Sequence, residues 1–418
     1  MAILRPAACP RPWKLAVLPK RGGVSRRLCA AIATEKARPL GVELAREALA
    51  ISRIGRAAHH ESHEDVKELA SRVLWHLNTC SSIQVSMFFV AFAKLGMTDA
   101  LFWRSLSQRA LTCMPEFSAL ALANIAYSSA KIGHRDARLF GAVSKAAATI
   151  IGEFSPQNLA NLAYAFAKVG RDDDVFQSIA QAAPRLIGKF SPQGLANISW
   201  AFAKVGRTDS LLFDAIAQRA PNVSRDFNAQ NLANLAWAYA TLGRDDCTLF
   251  NAIAQRSAGI ACLLTSQNLS NTVWAFTTVG HSNEVLFEAV AQAAIGKMQE
   301  FEPQGLSNTA WAFAKANHDD PMLFDAIART SLGLMRAFSP QALSNIAWAF
   351  SEVGCGDIEL FQAIASASSL IICGFKVQEL CNTAWAFSTL PRHCRRAHNQ
   401  CLLRSVVNGQ VRLLSQKK

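Results

Sequence analysis

Eight asparagines, Asn124, Asn161, Asn197, Asn234, Asn271, Asn308, Asn345 and Asn382, recur at steps of 37 residues broken by a single step of 36. Seven residues after half of them stands a lysine, at Lys131, Lys168, Lys204 and Lys315, with Thr241, Thr278, Glu352 and Thr389 in the other units and Lys94 in the same register upstream. Three residues before them the type varies: Asn158, Gly194, Asn231, Asn268, Gly305, Ala342 and Glu379. At about 100° per residue, positions 158, 161, 165 and 168 of a helix share a sector of about 80°, and position 165 is nearly always alanine. Amides can hydrogen-bond base edges and lysines can neutralise phosphates. A face that mixes a constant amide, a small residue, a variable polar residue and a lysine therefore suits the modular reading of a polymer.

A second row, His134, Arg171, Arg207, Arg244, His281, His318 and Arg392, follows the residue that closes each segment and is broken by Met97 and Cys355. Stacked units would string these into a line of cations suited to phosphates, partly neutralised by acids two residues further on. The candidate nucleic-acid contacts are thus Asn158, Lys168, Arg171, Asn197, Lys204, Arg207, Asn231, Asn234, Arg244, Asn268, Asn271, His281, Lys315 and His318.

Each row has a plainer use. An asparagine in an alanine-rich helix commonly forms an internal ladder that satisfies loop backbone of the neighbouring unit. Arginines after a helix favour its C-terminal dipole. Trp200, Trp237, Trp274, Trp311, Trp348 and Trp385 stand in register and could stack on bases. They sit about 40° beyond the lysine position, among alanine and phenylalanine, so core packing is the expectation. Neither His59–Asp65, a polar run that reads as a solvated loop, nor the cluster of His393, Cys394, His398 and Cys401 has a metal-ligand spacing. No phosphate loop, nucleophile elbow or paired-carboxylate motif is present, so neither catalysis, cofactor nor small-molecule substrate is expected.

The elements that must position these rows are repeats. FSPQNLANLAYAFAKVG (Phe154 to Gly170) returns as FSPQGLANISWAFAKVG, FNAQNLANLAWAYATLG, FEPQGLSNTAWAFAKAN and FSPQALSNIAWAFSEVG. Each reads as a buried helix with a serine N-cap, proline at the first turn and a glycine stop. Asp99, Asp136, Asp173, Asp209, Asp246, Asn283, Asp320 and Asp357 then cap a second helix of pattern LFxAIAxxA. A fixed period in the thirties marks a helical solenoid. The expectation is an all-α, right-handed solenoid of about nine antiparallel helix pairs, with first helices beginning near 83, 120, 157, 193, 230, 267, 304, 341 and 378. Residues 35–82 form a degenerate opening repeat, 83–390 the array, and 391–418 a basic cap or tail.

The formal charge of +13 is carried by the ends: residues 1–34 and 391–418 hold seven basic groups each and no acid, which leaves −1 for 35–390. The basicity alone therefore does not mark the repeats as nucleic-acid binding. Residues 1–34, rich in Arg and Ala and with one serine, have the composition of a mitochondrial transit peptide, the plastid being the alternative. The 51% hydrophobic content suffices for a continuous core, yet no run of about 18 apolar residues reads as a membrane span. Eleven scattered cysteines without a C-x-x-C pair fit a reducing interior, the mitochondrial matrix or the chloroplast stroma.

Units such as PQNLANLAYAFAKVGRDDDVFQSIA (Pro156 to Ala180), through their Q-x-L-x-N-x-A-W-A-F core, resemble the helical repeats of octotricopeptide and heptatricopeptide proteins. They also resemble the repeats of the FAST-kinase-like, RAP-domain family. The resemblance covers about residues 83–390 and implies binding, processing, stabilisation or translation of organelle transcripts, with other RNA-processing proteins as further partners. The nuclease-like RAP domain is not visible, which favours binding without cleavage, and the octotricopeptide P-P-P-E-W signature is absent, which leaves the subgroup unassigned. On this reading single-stranded RNA lies along the repeats, about eight or nine nucleotides at one base per repeat. The rival reading is a protein-interaction scaffold of armadillo or tetratricopeptide kind, which the near-neutral body favours.

Overall fold

A computed structural model describes residues 40–54 and 63–389. The proposed transit segment, the stretch 55–62 and the basic C-terminal tail lie outside the described residues. Among those described, all regular structure is helical. The helices are α1 (Leu40–Ile54), α2 (His63–His76), α3 (Ser82–Leu95), α4 (Ala100–Thr112), α5 (Ala119–Ile132), α6 (Ala137–Thr149), α7 (Pro156–Lys168), α8 (Val175–Ala182), α9 (Pro192–Val205) and α10 (Ser210–Arg219). They continue as α11 (Ala229–Thr241), α12 (Cys247–Gly259), α13 (Ser266–Thr278), α14 (Glu284–Gly296), α15 (Pro303–Lys315), α16 (Pro321–Leu334), α17 (Pro340–Glu352), α18 (Ile358–Leu370) and α19 (Val377–Thr389). Odd numbers are first helices of a repeat and even numbers second helices. None is long and apolar enough to cross a membrane. The degenerate opening repeat is a true pair, α1 with α2, and the polar run expected to be loop as far as Asp65 is already helical from His63.

The described residues fall into two compact units, 40–216 and 217–389. In the first, α1, α3, α5, α7 and α9 pack side by side in chain order, and α2, α4, α6 and α8 form a looser second layer. In the second, α11, α13, α15, α17 and α19 make the tight layer and α12, α14, α16 and α18 the looser one. Each unit is a solenoid segment, helix pair stacked on helix pair. Alanine and serine let the first helices approach closely: Ala160, Ala163 and Ala167 of α7 are buried, as are Ser270, Ser307 and Ser344 in their successors.

Side chains on two registers join successive repeats. From α6 on, a phenylalanine of the second helix meets an aromatic of the next first helix edge-on, as in Phe140–Phe166, Phe176–Phe202, Phe250–Phe276 and Phe324–Phe350, with centroids 5.0–5.1 Å apart. Such pairs contribute about 0.5–1.5 kcal/mol each beyond area burial. Local capping sets the boundaries. Ser155, Ser191, Ser339, Asn228 and Thr265 each accept the N–H three residues on. At the other end the chain reverses through a left-handed residue, Gly206 at φ +78°, and the Arg207 N–H closes on the Phe202 carbonyl at 2.9 Å. Asn317 fills that position in one repeat, at φ 56°.

Asp99, Asp136, Asp246, Asn283, Asp320 and Asp357 cap their second helices through side-chain oxygens, as expected. Asp173 departs from the pattern. In the run Asp172–Asp174 its carboxylate is taken by Arg171, and α8 begins only at Val175, after Asp174.

Candidate nucleic-acid interface

Within a unit, an inner first helix such as α7 has first helices on both sides and its own second helix behind, so only a narrow strip meets solvent. In α7 that strip is Gln157, Asn161, Tyr164 and Lys168. Their spacing of four, three and four residues confines them to about 60° of the helix. The strip repeats as Gln193, Asn197, Trp200 and Lys204 in α9, and as Gln304, Asn308, Trp311 and Lys315 in α15. The sector drawn from sequence is displaced from this strip. Ala165 is fully buried, and Asn158 and Asn231 are 9% and 4% exposed, because one residue round the helix turns them by about 100° into the packed layer. Asn268 stays half-buried. Asn234, Asn271, Lys168 and Lys204 are part-exposed and lie on the strip, as does the exposed Lys315, whereas Asn197 on the same strip is 8% exposed.

The aromatic position, expected in the core, belongs to this strip. Trp200, Trp274, Trp311 and Trp348 are half-buried and Trp385 is 43% exposed, Trp237 alone among the six tryptophans being buried. From α5 to α9 the rings run on: Tyr127 to Tyr164 at 5.8 Å and Tyr164 to Trp200 at 5.2 Å, each pair tilted by 36°. The Lys168 ammonium sits 5.9 Å from the Tyr164 centroid. No internal amide ladder forms: among the described residues, the side chains of Asn161, Asn197, Asn234, Asn271, Asn308 and Asn345 take no hydrogen-bond partner. Gln157 and its successors were missed as strip residues, although a glutamine four residues before every asparagine of the row but Asn124 was the available signal.

The second row is engaged, and four of its members join repeats. Arg171 forks onto Asp173 through Nε and Nη2, the latter at 2.8 Å. Arg207 reaches back to Asp172 of the preceding repeat and lies 5.7 Å from the Phe176 ring. Arg244 is half-buried and also engaged. His281 Nε2 is 3.1 Å from Asn251 Oδ1, and His318 stacks on Phe287 at 4.4 Å. His134 Nε2 hydrogen-bonds Ser107 at 2.9 Å, and burial pulls its pKa below the ordinary value, against an opposing pull from Asp136. His134, Arg207, His281 and His318 thus clasp consecutive repeats, and on the strip itself the cations are lysines.

Asp245, Cys247 and His281 bring an oxygen, a sulfur and a nitrogen within 4.8 Å of one another. Three solvent-open donors fall short of the closed four-ligand set of a structural zinc site. A cavity of about 370 Å³ opens on the strip of α15 and α17, lined by Gln304, Ser307, Asn308, Gln341, Asn345 and Glu379 among others. On the second-helix side a groove of about 750 Å³ runs past Gln177, Gln181, Arg185 and Leu211.

Comparison with curated proteins gives no match. Among solved structures, a chain titled "Homology model of the full-length AP-3 complex in an intermediate open conformation" aligns at 9% identity and a TM-score of 0.33, over 88% of this chain and 83% of that one. A likeness of that size carries no argument. The family model described as RNA-editing substrate-binding complex 6 protein matches residues 58–182 and 172–415. Those segments span the whole repeat array, and by them the chain belongs to the RNA-editing substrate-binding complex 6 protein family.

Proposed function

We propose that this protein binds single-stranded RNA along the solvent-facing strip of its first helices, as a non-catalytic component of RNA processing in the mitochondrial matrix. The observation that carries the reading is the recurrence on one face of a glutamine, an asparagine whose side chain takes no hydrogen-bond partner among the described residues and, outside the repeat of Trp237, a part-exposed aromatic. A lysine ends that strip in α3, α5, α7, α9 and α15. Aromatic rings stack bases, carboxamides reach their edges, and lysines meet phosphates. The family's printed name, a substrate-binding complex of RNA editing, supports the same role. The finer kinship to octotricopeptide and FAST-kinase-like repeats rests on the Q-x-L-x-N-x-A-W-A-F core, and matrix import on the composition of residues 1–34.

The test is fluorescence-anisotropy binding of the full chain to random single-stranded RNA over a salt series. Tyr164→Ala with Trp200→Ala should weaken binding at least about tenfold. Replacing Lys94, Lys131, Lys168 and Lys204 by alanine should flatten the slope of log K against log salt by roughly 3, at about 0.7 per lost contact. Unchanged binding in both variants, with loss only when the basic tail residues are neutralised, would overturn the proposal.

A second reading, a protein scaffold, is favoured by one observation. Val285, Met322 and Ile358 at the starts of α14, α16 and α18 are 66%, 71% and 45% exposed, an apolar row on the second-helix layer. The two readings use different faces and are compatible.

A further inference from the structure

The cavity on α15 and α17 is built differently from the rest of the strip. Asn308 in its wall is 6% exposed, yet its carboxamide has no hydrogen-bond partner among the described residues. Asn345 and Gln341 offer two further unpartnered carboxamides to the same space, and Ser307 and Ser339 add hydroxyls. Pro340, Ala342 and Gly374 supply apolar wall. The volume of about 370 Å³ falls within the range of small-ligand sites, roughly 300–1,000 Å³.

Glu379 sets the chemistry. It is 8% exposed, and its Oε2 accepts the Lys376 N–H at 2.8 Å, leaving Oε1 without a partner among the described residues. The six corresponding positions upstream, 158 to 342, hold asparagine, glycine or alanine, so the carboxylate is peculiar to this repeat. A carboxylate only accepts hydrogen bonds, whereas the carboxamides around it both donate and accept. It therefore favours a ring that presents an amino group and opposes one that presents a carbonyl oxygen at the same place. A phosphate is disfavoured by the same charge, while the exposed Lys376 at the rim suits the backbone beside it.

We infer that this cavity is a nucleobase pocket that takes one base of the bound strand and selects cytosine or adenine over uracil, with Asn308, Asn345 and Gln341 on the base edge and Glu379 accepting from its exocyclic amino group. The inference rests on the proposed RNA reading of the strip.

The test uses the full chain and two probes of equal length, oligocytidylate and oligouridylate. These pyrimidines match in size and differ at the 4-position. The wild type should bind oligocytidylate more tightly by at least about fivefold. Glu379→Gln should bring the two within roughly twofold, chiefly by improving oligouridylate, because its amide can also donate. Glutamine at this position still reaches back to the Lys376 N–H, so the cap of α19 is retained. Asn308→Ala should weaken oligocytidylate. Equal affinities in the wild type, or a ratio unmoved by Glu379→Gln, would overturn the pocket while leaving RNA binding intact. Failure of both probes to bind would instead sink the RNA reading itself.

Discussion

A tryptophan left half in water on an alanine-rich helix has given up part of its burial, worth about 25 cal/mol for each Å² of apolar surface. Along the strip that exposure recurs at Trp200, Trp274, Trp311, Trp348 and Trp385, so it follows from the repeat and not from local accident. The asparagines tell the same story: an amide needed for the fold would hold a backbone group, and these hold none among the described residues. His134 shows the contrasting behaviour of a residue spent on packing. Its folded pKa lies below the ordinary 6.5 because burial opposes the charge. The unfolded chain therefore binds the proton more readily, and the stability His134 contributes is full above 6.5 and lost as pH falls below it. His134→Gln should accordingly show a shallower loss of urea midpoint between about pH 7 and pH 5 than the wild type. Parallel losses in the two proteins would refute the assignment.

Helix boundaries follow the same logic at the next scale. Gly206 ends α9 at φ +78°, where a side chain is strained whatever the space around it. Gly141 lies inside α6 with nothing within 4 Å of a built Cβ. Gly206→Ala should cost about 1–2 kcal/mol, and Gly141→Ala should gain about 0.5–1 kcal/mol by restricting the unfolded chain. Urea denaturation of the two variants reads both signs, and a midpoint raised by Gly206→Ala would contradict the account of the helix stop. Between helices, the edge-on phenylalanine pairs and the Arg207–Asp172 contact bind repeat to repeat. A substitution at Arg207 is therefore expected to loosen stacking as well as to remove a charge.

For the whole chain, the period and the caps made the helix pairs legible in the sequence, because proline, serine and glycine each fix backbone at a stated position. The strip was less legible. Its helices are apolar on nearly every side, so periodicity could not say whether the tryptophan or the 158 position faced water. That was decided by the flanking first helices, which bury Asn158 and Ala165 and spare Tyr164. The arginine row was equally hard to read, since Arg207 finds its partner, Asp172, about a full repeat away. The lysines divide unevenly. Residues 82–204 carry one on every first helix, whereas the first helices from 229 on end in Thr241, Thr278, Lys315, Glu352 and Thr389. On the proposed reading, attraction to the RNA backbone is concentrated in the first unit, while the strip's amides and aromatics run through both. The most direct test of the strip is photo-crosslinking of the full chain to single-stranded RNA carrying 4-thiouridine, followed by peptide mapping. The account predicts adducts on first helices, at Tyr164, Trp200, Trp274, Trp311 and Trp348. Adducts confined to the second helices, or to residues 1–34 and 391–418, would contradict it.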